Sequence, residues 1–378
     1  MYFSLRNSTI NIAVWALAIW AGIHYESLLL ALCIPALFHV INDICFYTLG
    51  VTVFSERDMV RTAYALTAHF GDHHHGHGYD LGFNVYDGDT NLSGPEAQQK
   101  KFALMWDKLE LEPGMRLLDV GCGFGDWLLY AQGRGAIVHG LNISAAQAKL
   151  CGERGVEVTV SDWANPAGTK HLAEQFDAIT LMDTIEHYVP PTARSRTAKQ
   201  DAVYRALFAF VSGAINPASK NGRVFISCLH QTKPLDFKRM ASTYVIDRSM
   251  CGFYPCGEDG LTRNAPQFTV HMQEDRTEDY RVTAVLIKDH FQASGISTLM
   301  TLERIIKGLV VLLLDPYFFV RLSHYIFPAW MNFYGDDAFS EKYDPEFRAK
   351  TTFVKDFFIL LRSNAAELSS PTATPDGA

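Results

Sequence analysis

A basic excess is the first thing this chain does not have. Lysine and arginine number 33 against 41 aspartates and glutamates, a net charge of −8. A surface that follows nucleic acid needs the opposite balance, so no nucleic-acid partner is expected. A disulfide framework is missing too. Cys33, Cys45, Cys122, Cys151, Cys228, Cys251 and Cys256 are scattered and odd in number, which suits reduced thiols in the cytosol. Cys251 and Cys256 are close, but no second pair completes a zinc site, and no metal is expected. Formal charge is nearly absent near the N-terminus: between Arg6 and Asp43 only Glu26 carries one. What remains is 48% apolar and 20% charged over 378 residues. That excludes a disordered chain and allows one large domain or two modest ones.

The uncharged stretch holds three apolar runs, Ile10 to Ile23, Leu28 to Ile41 and Ile44 to Phe54. A bilayer span needs about 20 mostly apolar residues. Two tilted spans fit, 8–26 and 28–50, with His24-Tyr25-Glu26-Ser27 as the turn. A signal peptide fits less well, because the second run follows too closely; a pair of helices lying in the interface is a third reading. Arg6 precedes the runs and Arg57 and Arg61 follow them, which puts both ends of the hairpin on the cytosolic side. The expected layout is a membrane hairpin (1–54), a connector and helical cap (55–107), a catalytic domain (108–300), an apolar helical segment facing substrate or membrane (301–365) and a disordered tail (366–378). In the connector, His69, His73, His74, His75 and His77 alternate with glycines. Such a run can bind a metal, but a polar loop at a pocket mouth is the reading preferred. Residues 303–335 admit a third span or, preferably, a helical excursion over an apolar pocket.

A dinucleotide fingerprint is the next absence. Gly-x-Gly-x-x-Gly would seat a pyrophosphate on a helix N-terminus. Here Leu117, Leu118 and Val120 make a short buried-strand run, and Asp119 is followed by Gly121, Gly123 and Gly125 at alternate positions. A carboxylate at the strand end is badly placed for phosphate. It suits a ligand with a cationic or hydrogen-bonding end, such as S-adenosylmethionine. A purely structural glycine turn is the bland alternative.

Strands and helices then alternate: strands 115–121, 136–141, 156–160, 176–182 and 223–229, and helices 126–132, 144–154, 168–175 and 198–214. A helix is also expected over 102–111. This rhythm predicts an α/β, doubly wound, mostly parallel sheet, whose ligands bind beyond the C-terminal strand ends. Those ends are Asp119 to Gly125, Leu141 to Ile143, Asp162-Trp163 and Asp183 to His187. Two further strands, 267–273 and 280–287, are expected as an antiparallel hairpin at the sheet edge.

The text carries a family resemblance over about residues 77–290. It includes Tyr79-Asp80-Leu81-Gly82, Asn91-Leu92 and Gln98-Gln99, then the run Lys108 to Gly125 with Asp119-Val120-Gly121-Cys122-Gly123-Phe124-Gly125. Gly140-Leu141-Asn142-Ile143-Ser144 with Gln147, and Glu186-His187, follow. In this order they resemble the cyclopropane-fatty-acid synthase branch of class I S-adenosylmethionine-dependent methyltransferases. The layout with its N-terminal hairpin is similar to fungal sphingolipid C-methyltransferases. The resemblance implies a seven-stranded Rossmann-like sheet and a cofactor held by Asp119, Gly121, Gly123, Asn142, Ile143, Gln147, Asp162 and Trp163. Trp163 would stack on the adenine or, on the plain alternative, pack in the core.

The implied activity is methyl transfer to the double bond of a lipid acyl chain in a membrane, giving a cyclopropane or methyl-branched product. The implied base is a bound bicarbonate, oriented by Glu186 and held with the help of His187 and Tyr280. Glu186 beside a histidine is also acid–base apparatus in its own right, or else a structural ion pair. Three departures stand out. A family segment with a bicarbonate-touching cysteine is shortened here to Phe83-Asn84-Val85-Tyr86-Asp87-Gly88-Asp89, without cysteine. Val189 replaces a glycine. The family's next histidine falls near Cys228, with His230 two residues on. Methylation of a lipid head-group nitrogen or a sterol-like olefin, and a non-catalytic membrane scaffold, are the competing functions. Oligomeric state is not legible.

Overall fold

In the computed structural model the residues described are 5–62, 64, 82–89, 91–193, 197–232, 254–283, 286 and 354–365. The histidine cluster 69–77, Tyr79 to Leu81, Cys251, the apolar stretch 303–335 and the tail 366–378 lie outside them.

The N-terminal hairpin is two helices, α1 (Leu5–His24) and α2 (Leu28–Leu49). Ser27 starts α2, its hydroxyl accepting from the Leu30 N–H, and Gly50 ends it in the left-handed conformation. The helices cross tightly at the turn: a Cβ on Gly22 would stand 2.7 Å from the Ala31 Cβ. Large side chains such as Leu28, Leu29, Leu37, Ile41 and Ile44 face outward. Among the described residues one helix, Leu28–Leu49, is long and apolar enough to cross a membrane by length and composition. The expected pair of spans is met by one helix on that measure; the first turns of α1 carry Arg6, Asn7 and Asn11.

Those asparagines have a use. Asn7 accepts from the Ser55 N–H at 2.8 Å and donates to the Ser55 carbonyl. The Asn42 side-chain oxygen in α2 accepts from the Val53 N–H and the Thr52 hydroxyl. Both helices thereby fasten the strap at 52–55 that leads into α3 (56–62). A buried amide that satisfies backbone donors offsets its own desolvation.

Helix α4 (Gly94–Lys108) opens with a capping box between Ser93 and Glu96. Strands and helices then alternate: β1 (Arg116–Val120), α5 (Asp126–Gln132), β2 (Ile137–Asn142), α6 (Ala145–Glu153), β3 (Val158–Val160), α7 (Pro166–Thr169), β4 (Ala178–Met182), α8 (Thr197–Ala214) and β5 (Arg223–Gln231). β6 (Phe268–Asp275) and β7 (Val354–Ser363) complete a seven-stranded sheet in the order β3-β2-β1-β4-β5-β7-β6. Strands β1 to β5 pair in parallel, and β7 runs antiparallel to both its neighbours.

Alternate residues of each strand feed opposite cores. Leu118, Val120, Ile179, Leu181 and Ile226 pack against Tyr204, Leu207, Phe208 and Val211 of α8. Leu117, Phe225, Phe358 and Leu360 pack against Phe102 and Met105 of α4 and Trp127 and Leu128 of α5. The two helical layers account for the buried runs: a strand covered on both faces has no polar side to show.

Two expectations fail at the sheet edge. Residues 280–283 are not the start of a strand: 277–283 form helix α9. Asp275 accepts from the Thr277 N–H and hydroxyl and starts that helix. Asp279, Tyr280, Val282 and Thr283 are buried at helical rather than alternating spacing. The segment 301–365 is not helical throughout either, because its end is β7. Phe357 to Leu361 is a continuous apolar run between charges, the mark of a strand buried on both faces. It pairs with both β5 and β6, so the expected antiparallel partner of β6 comes from residue 354 onward.

Candidate active site

The crevice opens where β1 and β4 diverge, at the C-terminal ends of the parallel strands. Asp119 is buried there, its carboxylate accepting from the Thr180 hydroxyl at 2.7 Å. The chain then turns through three left-handed glycines, Gly121, Gly123 and Gly125. A Cβ on Gly121 would come within 2.3 Å of the Thr184 methyl group, whereas one on Gly123 would meet nothing within 4 Å. Gly121 therefore keeps two loops in contact, and Gly123 faces open space.

The second wall comes from β2 and α6. Asn142 donates to the Gly123 carbonyl at 3.0 Å and to the Gln147 side chain at 3.2 Å, and accepts from the Ser144 N–H at 2.8 Å. Asn142 and Gln147 are buried, and these bonds fix the height of the glycine turn; Ile143 is half-buried beside them. Beyond β3, Asp162 pairs with Arg57 of α3 at 2.8 Å and accepts from the Ala164 N–H. The half-buried Trp163 ring leans on Tyr188 and Phe210. The Tyr188 hydroxyl is pushed up by burial, with Asp162, Asp119 and Glu186 adding to the effect. One phenol thus feels the ends of β1, β3 and β4 together.

The third wall carries the acids. Asp183, just past β4, has a left-handed backbone, φ 51, which is costly without glycine. Its carboxylate accepts from the Ser227 hydroxyl at 2.5 Å and from the Phe83 N–H at 3.3 Å. Glu186, in the short turn Ile185–His187, is buried and accepts from the Leu229 N–H at 2.7 Å. That N–H is available because the β4–β5 ladder ends at Met182 and Ser227. The second Glu186 oxygen, Oε2, has no partner among the described residues. Burial, then the neighbouring Asp183, raises Glu186 to about 8.

The remaining expected residues surround this acid. The His187 Nε2 lies 2.6 Å from the Tyr64 hydroxyl, with the rings edge-on. Tyr280 of α9 is buried against Phe83, ring centroids 3.9 Å apart, and burial raises its hydroxyl. Asp279 accepts from the Tyr86 and Asp87 N–H groups and holds the shortened loop onto α9. His230 is kept neutral by burial, its value lowered to about 4. Its Nδ1 lies 3.0 Å from the Cys228 carbonyl and its ring meets Phe357 edge-on. Among the described residues no three His, Cys, Asp or Glu side chains are arranged to hold a metal.

Asp119, Gly121, Gly123, Asn142, Ile143 and Gln147 thus gather at the ends of β1 and β2, and Tyr280 lies close enough to Asp183 and Glu186 to feel their charges. Tyr64 and Asp356 were not singled out from the sequence, Arg57 only as a charge after the hairpin, and Asp183 only as the start of a strand end. Asp183 follows a strand, a place worth inspecting; Arg57 and Tyr64 come from a connector whose docking no local pattern reveals.

Comparison with known proteins agrees with this architecture. A probable fatty acid methyltransferase of Mycobacterium tuberculosis is 37% identical over 138 residues, 30% of this chain and 30% of the relative. The cyclopropane-fatty-acyl-phospholipid synthase of Escherichia coli is 40% identical over 99 residues, 25% of this chain and 24% of the relative. The matches therefore span about a third or less of these relatives' length. Among solved structures, the cyclopropane synthase MmaA2 of Mycobacterium tuberculosis has the same fold, with TM-score 0.61 and 17% identity over 81% of this chain and 98% of that one. The mycolic acid cyclopropane synthase CmaA1 complexed with SAH and CTAB gives TM-score 0.59 and 19% identity over 82% of this chain and 99% of that one. The family pattern described as mycolic acid cyclopropane synthetase matches residues 63–302, more than half of the sequence, and the chain belongs to that family.

Proposed function

We propose that the protein is an S-adenosylmethionine-dependent methyltransferase that modifies the double bond of a lipid acyl chain at a membrane surface. The observation that carries this reading is one adjacency. The glycine turn, open over Gly123, touches Thr184 through Gly121, and the buried acid Glu186, two residues after Thr184, has no partner for its Oε2 among the described residues. The residues suit the cofactor. Asp119 is buried at the foot of the turn, the left-handed Gly123 leaves room above it, and Ile143 borders the same crevice. When bound, S-adenosylmethionine supplies an electrophilic methyl group on a sulfonium.

This chain's residues do the rest. Asp119 answers the cationic end of the donor, and Asn142 and Gln147 hold the glycine turn at the height it needs. An alkene is a weak nucleophile, so alignment and exclusion of water carry much of the rate. Phe83 and Tyr280 form an aromatic wall on the acceptor side. Positive charge that develops on the acyl chain is met by the acids beyond β4.

The hairpin supports the substrate class. Helix α2 is a membrane-crossing candidate, and α3 ties it to the crevice through Arg57 with Asp162 and Glu56 with the Thr192 hydroxyl at 2.7 Å. An acyl chain reached from the bilayer surface would enter where this connector lands. Expression with labelled methionine followed by lipid mass spectrometry tests the reading. A gain of one labelled methylene on acyl chains supports it. Label on head groups selects nitrogen methylation, label on a sterol selects the olefin alternative, and no labelled lipid selects a scaffold.

A further inference from the structure

The connector that leaves the N-terminal hairpin lands on the loops at the sheet's C-terminal edge. Two neighbouring side chains of α3 are bound there. Glu56 accepts from the Thr192 hydroxyl at 2.7 Å and from the Thr192 N–H at 3.2 Å. The Arg57 Nε lies 2.8 Å from Oδ2 of Asp162. The other oxygen, Oδ1, accepts from the Ala164 N–H at 2.8 Å. One carboxylate is thus held from two sides, by the connector and by its own loop. Behind α3 the strap 53–55 is fastened to both hairpin helices through Asn7 and Asn42. A continuous set of polar contacts therefore runs from the hairpin to the end of β3.

That end belongs to the donor side. Ser161 donates its N–H to the Asn142 carbonyl at 3.0 Å, and Asn142 in turn holds the Gly123 carbonyl at 3.0 Å. The Tyr188 hydroxyl, 2.9 Å from the Thr184 hydroxyl, feels both Asp162 and Asp119. A carboxylate only accepts hydrogen bonds, so Asp162 suits an amine N–H such as that of adenine, while Asp119 answers the cationic end. The ion pair does little for folding. The Arg57 side chain is 54% exposed and that of Asp162 12%, and a pair so open to water adds little stability. What it does is fix a rotamer: a carboxylate left free to turn must be ordered when a ligand binds, and that ordering is lost from affinity.

We infer that Arg57 is a positioning residue for the methyl donor: it orients Asp162 toward the adenine end, and so ties cofactor affinity to the docking of the hairpin connector. The inference rests on the proposed function, in which S-adenosylmethionine occupies this crevice. Arg57 acts through Asp162 and touches no reacting atom. The linkage runs both ways: a connector that tightens cofactor binding must itself be held more tightly when cofactor is bound.

The test titrates the full chain in detergent micelles with S-adenosylhomocysteine by calorimetry, as wild type, Arg57→Ala, Asp162→Asn and the double variant. Arg57→Ala is expected to weaken binding about fivefold, and by less than about twofold once Asp162 is asparagine, because the arginine works through that carboxylate. In turnover the KM for S-adenosylmethionine should rise with the Kd while kcat stays within about twofold. A second measurement uses wild type alone. Trypsin cleavage after Arg61 of the same helix, 49% exposed in its side chain, is expected to slow by about threefold or more when S-adenosylhomocysteine saturates the protein. The inference is overturned if Arg57→Ala binds within about twofold of wild type, if it costs the same in both backgrounds, or if the ligand leaves cleavage unchanged. The trypsin arm needs no variant, so a misfolded Arg57 protein does not leave the question open. A wild type that binds no S-adenosylhomocysteine defeats the proposed function and this inference with it. A wild type that binds it no better than Arg57→Ala does defeats only the inference.

Discussion

The Tyr64 hydroxyl sits 2.6 Å from the His187 Nε2, joining residues 123 positions apart. One lies in the connector after the N-terminal hairpin, and the other is next to the buried Glu186. Tyr64→Phe should leave cofactor binding intact and slow lipid turnover by about fivefold, the loss of roughly 1 kcal/mol from one net hydrogen bond. Steady-state rates on vesicle substrate, beside calorimetric titration with S-adenosylhomocysteine, would expose a structural collapse if both fell together.

Gly123 faces the crevice with nothing in front of it and a left-handed backbone. Gly123→Trp should abolish S-adenosylhomocysteine binding by filling that space. Gly123→Ala should cost only about 1–2 kcal/mol of backbone strain, so most binding survives. Retained calorimetric binding in the tryptophan variant would place the cofactor elsewhere.

Glu186 titrates at 4.5 ordinarily and near 8 in the folded chain. Across that window the native state holds a proton that the unfolded chain has released, so its contribution to stability falls as pH rises and levels off above about 8. Glu186→Gln carries no such proton. Its melting temperature should gain on wild type between pH 5 and pH 8, on the order of several degrees, while activity falls by about 100-fold or more. A constant difference in melting temperature across that range would show that the acid is not strained by burial.

On α2, Ile41 and Ile44 are half or more exposed. If that face meets lipid, Ile41→Lys with Ile44→Lys adds two charges at about 2.5–3.5 kcal/mol each at a helix centre. The double variant should move from the carbonate-resistant membrane fraction toward the soluble one. Unchanged fractionation would mean that α2 does not hold the protein in the bilayer.

Much of the parallel half of the sheet was legible in the sequence, and for a physical reason. Strands covered on both faces read as short apolar runs, and α5 was placed at 126–132 to the residue because glycines and a loop bound it. The hairpin turn was legible from Glu26 and Ser27 for the same reason. The antiparallel edge was not. Its middle strand, β7, arrives from residue 354 onward, and no local signal says which strand a distant segment will join. Tyr280 resembled part of a strand because Tyr280, Val282 and Ala284 alternate, yet Asp275 caps a helix there. The cofactor crevice followed from strand ends. The place of Asp356 did not, because an aspartate in an apolar run shows its neighbours only when the opposing strand is known.

The order of synthesis follows from the place of β7. Strands β6 and β7 touch along their length, yet residues 276–353 separate them in the chain. The hairpin and the glycine turn are synthesised well before β7. A nascent chain can therefore pair β1 to β5 while the antiparallel edge is still unmade. A product truncated before residue 354 would leave β6 without its neighbour and one edge of β5 unpaired.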